Sequence, residues 1–176
     1  MQSTDLFLPN DAFFARRVWA GEMDPVLVGQ WPGFSQGNTW NVQVQGFHAF
    51  TASGDAGFLI FDISDLANPV LVGHLGTFYG KALQVIGPYA YLAFLKQGLQ
   101  IVDFNDPGKP KWVGGYDTPG NAYDIKVSGK YIYIADGTNG LQIFDAGNSR
   151  EPLLVGSSDT PDLARRVDIN GDYAYG

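Results

Sequence analysis

Pro69-Val70-Leu71-Val72-Gly73 is the stretch that decides the fold, because the chain keeps returning to it. The same Pro-x-x-Val-Gly phrase occupies residues 25–29, 110–114 and 152–156, at spacings of 44, 41 and 42 residues. Self-similarity at a period of about 40–50 residues marks supersecondary units that stack or close in a circle. Such repeats are written by packing, so they speak to architecture before chemistry.

Working outward from the phrase, each unit carries three further apolar runs. The first is Val42-Gln43-Val44-Gln45-Gly46, matched by 83–87, 125–129 and 167–171. Its alternation has the period of two expected of a strand. Gly46, Gly87, Gly129 and Gly171 close it, and Asn170-Gly171 is the strongest hairpin signal among them. The second run is His48-Ala49-Phe50-Thr51-Ala52, with Tyr89, Tyr131 and Tyr173 in the slot of His48. His48 therefore reads as a packed aromatic substitute. The third is Phe58-Leu59-Ile60-Phe61-Asp62, matched by runs ending in Asp103 and Asp145. Each Asp stands seven residues before the proline of the phrase, where its side chain can bond its own backbone and open a turn.

Four antiparallel strands per repeat of about 42 residues is the period of a β-propeller blade. The expectation is an all-β propeller of about three complete blades, with half-blades at both ends. Residues 1–24 match poorly, although 13–19 read as a degenerate third strand; residues 25–176 carry the repeats. Three arrangements stay open: a portion of a larger propeller, a closed four-blade ring in which 13–31 and 165–176 share one blade, and a ring of several short chains. Uncovered blade edges template further pairing, so self-association is expected.

Composition narrows the function classes. The net charge of −7, from 18 acidic and 11 basic residues, repels phosphate backbones, so nucleic acid is not an expected partner. No segment approaches the roughly 18 apolar residues of a membrane helix, and the first residues lack the basic and apolar regions of a signal peptide. The chain has no cysteine, which removes disulfides and Cys-based zinc sites. Phosphate-loop, dinucleotide and nucleophile-elbow motifs are absent, so no cofactor is expected. The oxygen-rich loop Asp136-Gly137-Thr138-Asn139-Gly140 reads as a hairpin turn, and no metal site is assigned.

The runs Leu99-Gln100-Ile101-Val102-Asp103 and Tyr131-Ile132-Tyr133-Ile134-Ala135-Asp136, with Asp117-Thr118-Pro119-Gly120-Asn121-Ala122, resemble the LVIVD repeat. The resemblance covers roughly residues 25–176. It implies a propeller from a bacterial or archaeal protein, often exported or attached to the cell surface. The family supplies no shared catalytic motif, so the resemblance implies a non-enzymatic scaffold or binding module.

The candidate site follows from repeat phase. Six residues before each hairpin glycine stand Trp40, Lys81, Tyr123 and Arg165, followed by Asn41, Ala82, Asp124 and Arg166. These residues would start the innermost strands and converge near the axis. Trp40, Lys81, Tyr123, Asp124 and Arg165 together suit a polar small molecule, a glycan or a protein at the axial face. Lys81 and Arg165 favour an anionic group such as an acidic sugar. Gln43, Gln84, Lys126 and Asp168 share the middle of the inner strand and suggest a wet channel. The alternative function is a hydrolase or lyase on sugars or lactones, resting on Asp124 and Asp168 as carboxylates of adjacent repeats.

Overall fold

The computed structural model describes residues 27–29, 38–76 and 78–175. The readings of residues 1–24, including a strand over 13–19, lie outside them. Blade one is β1 (Asn41–Gln45), β2 (His48–Ala52), β3 (Phe58–Asp62) and β4 (Val70–Leu75). Blade two is β5 (Ala82–Ile86), β6 (Tyr89–Phe94), β7 (Gly98–Asp103) and β8 (Lys111–Tyr116). Blade three is β9 (Asp124–Ser128), β10 (Tyr131–Ala135), β11 (Leu141–Asp145) and β12 (Leu153–Ser158). A last pair, β13 (Asp168–Asn170) and β14 (Tyr173–Tyr175), begins a fourth blade. Each blade is a meander in chain order, antiparallel throughout. No helix occurs among the described residues.

The inner hairpins turn where the sequence places them. Gly46, Gly87, Gly129 and Gly171 have φ of 60°, 56°, 59° and 59°. A Cβ at Gly129 would meet nothing within 4 Å, so a substitution there is opposed by the backbone alone. Gly129→Val should therefore cost about 1–2 kcal/mol. Unchanged thermal unfolding of that variant would contradict the assignment.

The outer turns use aspartate in place of glycine. Asp62, Asp103 and Asp145 accept from the amides of Ser64, Asn105 and Gly147 at 2.8, 2.9 and 2.8 Å. A second set follows three residues on, where Asp65, Asp106 and Asn148 accept from Ala67, Gly108 and Arg150. Two successive side-chain turns carry the chain from the third strand to the fourth.

The core lies between blades rather than within one. Phe50, Phe58 and Ile60 of blade one interlock with Leu83, Leu92 and Phe104 of blade two, and Phe50 and Phe104 have ring centroids 4.6 Å apart. Leu99 and Ile101 of blade two meet Ile125, Ile134 and Phe144 of blade three in the same way. Both faces of a blade are thus apolar. His48 is half-buried, its ring centroid 6.3 Å from that of Phe50, in keeping with a packed aromatic slot.

The Pro-x-x-Val-Gly phrase now has a physical reading. The ladder between third and fourth strands shifts register at Ile60/Phe61, Ile101/Val102 and Ile143/Phe144. The unpaired residue is Val72, Val113 or Val155, so the phrase's valine is a β-bulge in each of the three four-stranded blades. Val72 and Val113 pack into the cores shared with the next blade. The glycine that follows lets the next blade come close. A Cβ on Gly29, Gly73 or Gly114 would overlap the carbonyl oxygen of Leu66, Pro107 or Ser149 respectively. Those three oxygens belong to equivalent residues of the outer turns.

Candidate functional site

The axial site is assembled by backbone before any side chain enters it. Trp40, Lys81 and Tyr123 donate their amides to the carbonyls of Ala52, Ala93 and Ala135 at 2.9, 3.0 and 2.9 Å. Each is thereby held just ahead of its innermost strand, in one register. The preceding blade fixes the adjoining residue through the bridges Gly54–Gly80, Leu95–Ala122 and Gly137–Ala164. The last of these sets Ala164 beside Arg165.

Trp40, Lys81, Tyr123, Asp124, Arg165 and Arg166 consequently line one cavity of about 640 Å³, although they come from four successive repeats. The structure thus brings together every residue that the repeat phase nominates. Their mutual arrangement differs from a ring of open aromatic platforms. Lys81 Nζ lies 3.2 Å from the centroid of the Trp40 ring, and Arg165 Cζ lies 6.0 Å from that of Tyr123. The chain's own cations cover the aromatic faces.

Burial first, and then the charge of Arg165, hold the Lys81 ammonium below the usual lysine range. Two cations thus share one cavity and disfavour each other. Among the described residues no carboxylate forms an ion pair with Lys81, Arg165 or Arg166; the two ion pairs are Lys126–Asp168 and Lys130–Asp145. Tyr79 also belongs to the site, its hydroxyl accepting from Trp40 Nε1 at 3.2 Å and its ring centroid 5.8 Å from Lys81 Nζ. Repeat phase missed it because Asn38, Asn121 and Leu163 fill the matching slots.

Asp124 has a different role from the cations around it. Its Oδ1 accepts from the amide of Ile125 at 2.9 Å and its Oδ2 from that of Val167 at 3.0 Å. The carboxylate fastens blade three to the start of β13. Asp168 pairs with Lys126 at 3.5 Å and accepts from the amide of Ile169. Asp124 and Asp168 line one groove, yet each is engaged by other groups.

Gln43, Gln84 and Lys126 line the same axial cavity, as their shared polar slot suggests, and the two glutamines also fasten one blade to the next. Gln43 Oε1 accepts from the amide of Val85 at 2.5 Å, and Gln84 Oε1 from that of Val127 at 2.6 Å. These side chains span to the next innermost strand and satisfy its backbone directly. Lys126 offers no acceptor for the third junction, where Asp124 supplies it from two residues earlier.

The loop at 136–140 is a turn, as its composition suggests, but Asp136 is fully buried. Its carboxylate accepts from Thr118 Oγ1 at 2.5 Å and from the Gly120 amide at 2.9 Å. It thereby ties the crossover from β8 to β9 onto blade three. Among the described residues no cluster of three or more His, Asp or Glu side chains could hold a metal ion.

Known structures share this fold. The crystal structure of the computationally designed Ika4 protein aligns with a TM-score of 0.63 at 12% identity, covering 84% of this chain and 88% of that one. The computationally designed Ika8 protein aligns at 0.63 and 9% identity, covering 84% of this chain and 45% of its own. Hydrazine synthase from Kuenenia stuttgartiensis aligns at 0.58 and 22% identity, covering 82% of this chain and 43% of that one. The chain spans about half the length of the latter two. At these identities the likeness shows the fold alone. No curated protein matches the sequence. The model of the LVIVD repeat matches three times, over residues 36–77, 79–118 and 119–160, each match opening just ahead of an innermost strand. With most of its length so matched, the chain belongs to the LVIVD-repeat family.

Proposed function

We propose that this propeller is a non-enzymatic binding scaffold whose axial cavity takes an anionic small molecule, with an acidic glycan as the leading class. The observation that carries the reading is the convergence of Lys81, Arg165 and Arg166 on one cavity with no carboxylate paired to them among the described residues. In a chain with 18 acidic and 11 basic residues, cations that have no anionic partner among the described residues can take a counter-charge from outside. An anion there would offset the repulsion between Lys81 and Arg165. It would also release the Trp40 and Tyr123 rings to pack on an apolar sugar face. Membership of the LVIVD-repeat family supports an exported or cell-surface setting, in which glycans are abundant. The alternative of a hydrolase or lyase rests on Asp124 and Asp168, which line one groove; both oxygens of Asp124 already accept from backbone amides, which supports the binding reading instead.

Calorimetric titration with an oligogalacturonate and with a neutral oligosaccharide of the same length tests this. The acidic ligand should bind, and more weakly as salt rises. Lys81→Ala combined with Arg165→Ala should lower its affinity by about 10–100-fold, the worth of one or two charge-assisted hydrogen bonds. Equal affinity for the neutral ligand, or a double variant that binds as wild type does, would sink the proposal.

A further inference from the structure

The two aromatic faces that the chain's own cations cover are not equivalent. Arg165 stands over the single ring of Tyr123, its Cζ 6.0 Å from the centroid. Lys81 faces two rings: its Nζ lies 3.2 Å from the centroid of Trp40 and 5.8 Å from that of Tyr79. Trp40 Nε1 donates to the Tyr79 hydroxyl at 3.2 Å, so the rings are tied to each other independently of the lysine. Backbone holds both in place. The Trp40 amide donates to the carbonyl of Ala52, and Tyr79 directly precedes Gly80, which is bridged to Gly54. Two joined aromatic faces around one ammonium are the elements of a cation cage. Trp40 stays 47% exposed with the lysine in place, so the cage is reachable from solvent.

We infer that the Trp40–Tyr79 pair is a subsite for an organic cation of the alkylated-ammonium class, and that Lys81 is its tethered occupant, which an incoming cation displaces. This goes beyond the anion reading of the cavity and stands on the two rings alone. Lys81 itself shows that the position tolerates a cation beside Arg165. The lysine is nonetheless a strained occupant. A primary ammonium is compact and strongly hydrated, and burial, followed by the charge of Arg165, holds this one below the usual lysine range. An alkylated ammonium gives up less hydration and presents methyl groups to both rings. The lysine stem is long and flexible, so its head can swing to water when displaced. Until then the tethered ammonium is a local competitor, and it lowers the affinity for a free cation by a factor that its effective concentration sets. The slot of Tyr79 is filled by Asn38, Asn121 and Leu163 in the other repeats. A single cage is therefore expected among the described residues.

Titration with tetramethylammonium, followed by the NMR signal of the Trp40 indole N–H, tests the inference, with tert-butanol as an uncharged control of similar shape. Lys81→Ala should bind tetramethylammonium about tenfold or more tighter than wild type does. Lys81→Gln, which removes the ammonium and keeps a polar chain, should behave alike and carries the test if the alanine variant fails to fold. Adding Tyr79→Leu to Lys81→Ala takes away the second ring and should lower the affinity about fivefold or more. Equal affinity of wild type and the Lys81 variants overturns the lysine's role as occupant. No response to tetramethylammonium in either Lys81 variant, an equal response to tert-butanol, or binding untouched by Tyr79→Leu overturns the cage. None of these outcomes depends on whether an acidic oligosaccharide binds, so the two proposals fail separately.

Discussion

Replacing Gly114 by valine should lower the stability of the fold by about 3 kcal/mol or more, and its midpoint of thermal unfolding by about 6–12 °C. The Cβ would overlap the carbonyl oxygen of Ser149 and approach the backbone of Arg150 at 3.0 Å. Neither neighbour is the end of a flexible side chain, so the blades themselves must part. Their separation would loosen the core that Leu99 and Ile101 share with Ile125 and Phe144. Gly156→Val is the internal control. It stands at the same place in the phrase and next to the same bulge, so strand propensity and bulge geometry cancel in the comparison. Melting both variants side by side isolates the cost of the contact with the neighbouring blade, since a Cβ at Gly156 meets only Ile143 of its own blade among the described residues. Equal losses at the two positions would show that the glycine is kept for the bulge and not for the neighbouring blade.

The second large effect is expected at Asp136. Removing its carboxylate with Asp136→Ala leaves the buried Thr118 hydroxyl and the half-buried Gly120 amide without their acceptor. Unsatisfied buried donors of this kind cost about 1–3 kcal/mol each, so a loss of about 2–4 kcal/mol is expected. Burial raises the Asp136 carboxyl above its ordinary value of 3.8, against the opposing pull of Thr118 and Gly120. The folded protein then holds this proton more tightly than the unfolded chain does. The contribution of Asp136 should be greatest at and below the ordinary carboxylate range, and should fall as pH rises through the raised folded value. Denaturant unfolding of wild type and Asp136→Ala across acid pH gives the difference directly. A difference that grows with rising pH would mean that the hydrogen bonds outweigh burial and favour the charged form.

How legible the molecule is in its sequence depends on whether a residue's role repeats. The blade, its strand order and its inner hairpins follow from period-two runs and from glycines that recur in phase, and residues 46, 87, 129 and 171 do adopt positive φ. The outer-turn aspartates were legible for the same reason. The bulge was not, because a strand with one residue too many still reads as a strand until its partner is known. Gln43 and Gln84 do line the axial cavity, as a polar residue inside an apolar strand suggests; what the sequence hides is their partners, which lie about 42 residues away on the next innermost strand. At the axis, phase alone gathered Trp40, Lys81, Tyr123 and Arg165. It could not show that Lys81 lies on Trp40 or Arg165 over Tyr123, since each contact joins two repeats and the cation and the ring occupy the same slot of successive repeats.

The junction chemistry has a consequence for how such a molecule can change over evolutionary time. Every fastening described, from the glycine seat to the Gln43–Val85 and Gln84–Val127 bonds, links a unit to its immediate successor and to nothing farther. Duplicating or deleting one whole unit in the gene therefore presents each survivor with a neighbour it already fits. The number of units is free to drift while the joints stay the same. Each added unit also brings one unconstrained position to the rim, the place held here by tryptophan, lysine, tyrosine and arginine in turn. Selection can alter the lining of the opening one letter at a time, without disturbing the joints between blades.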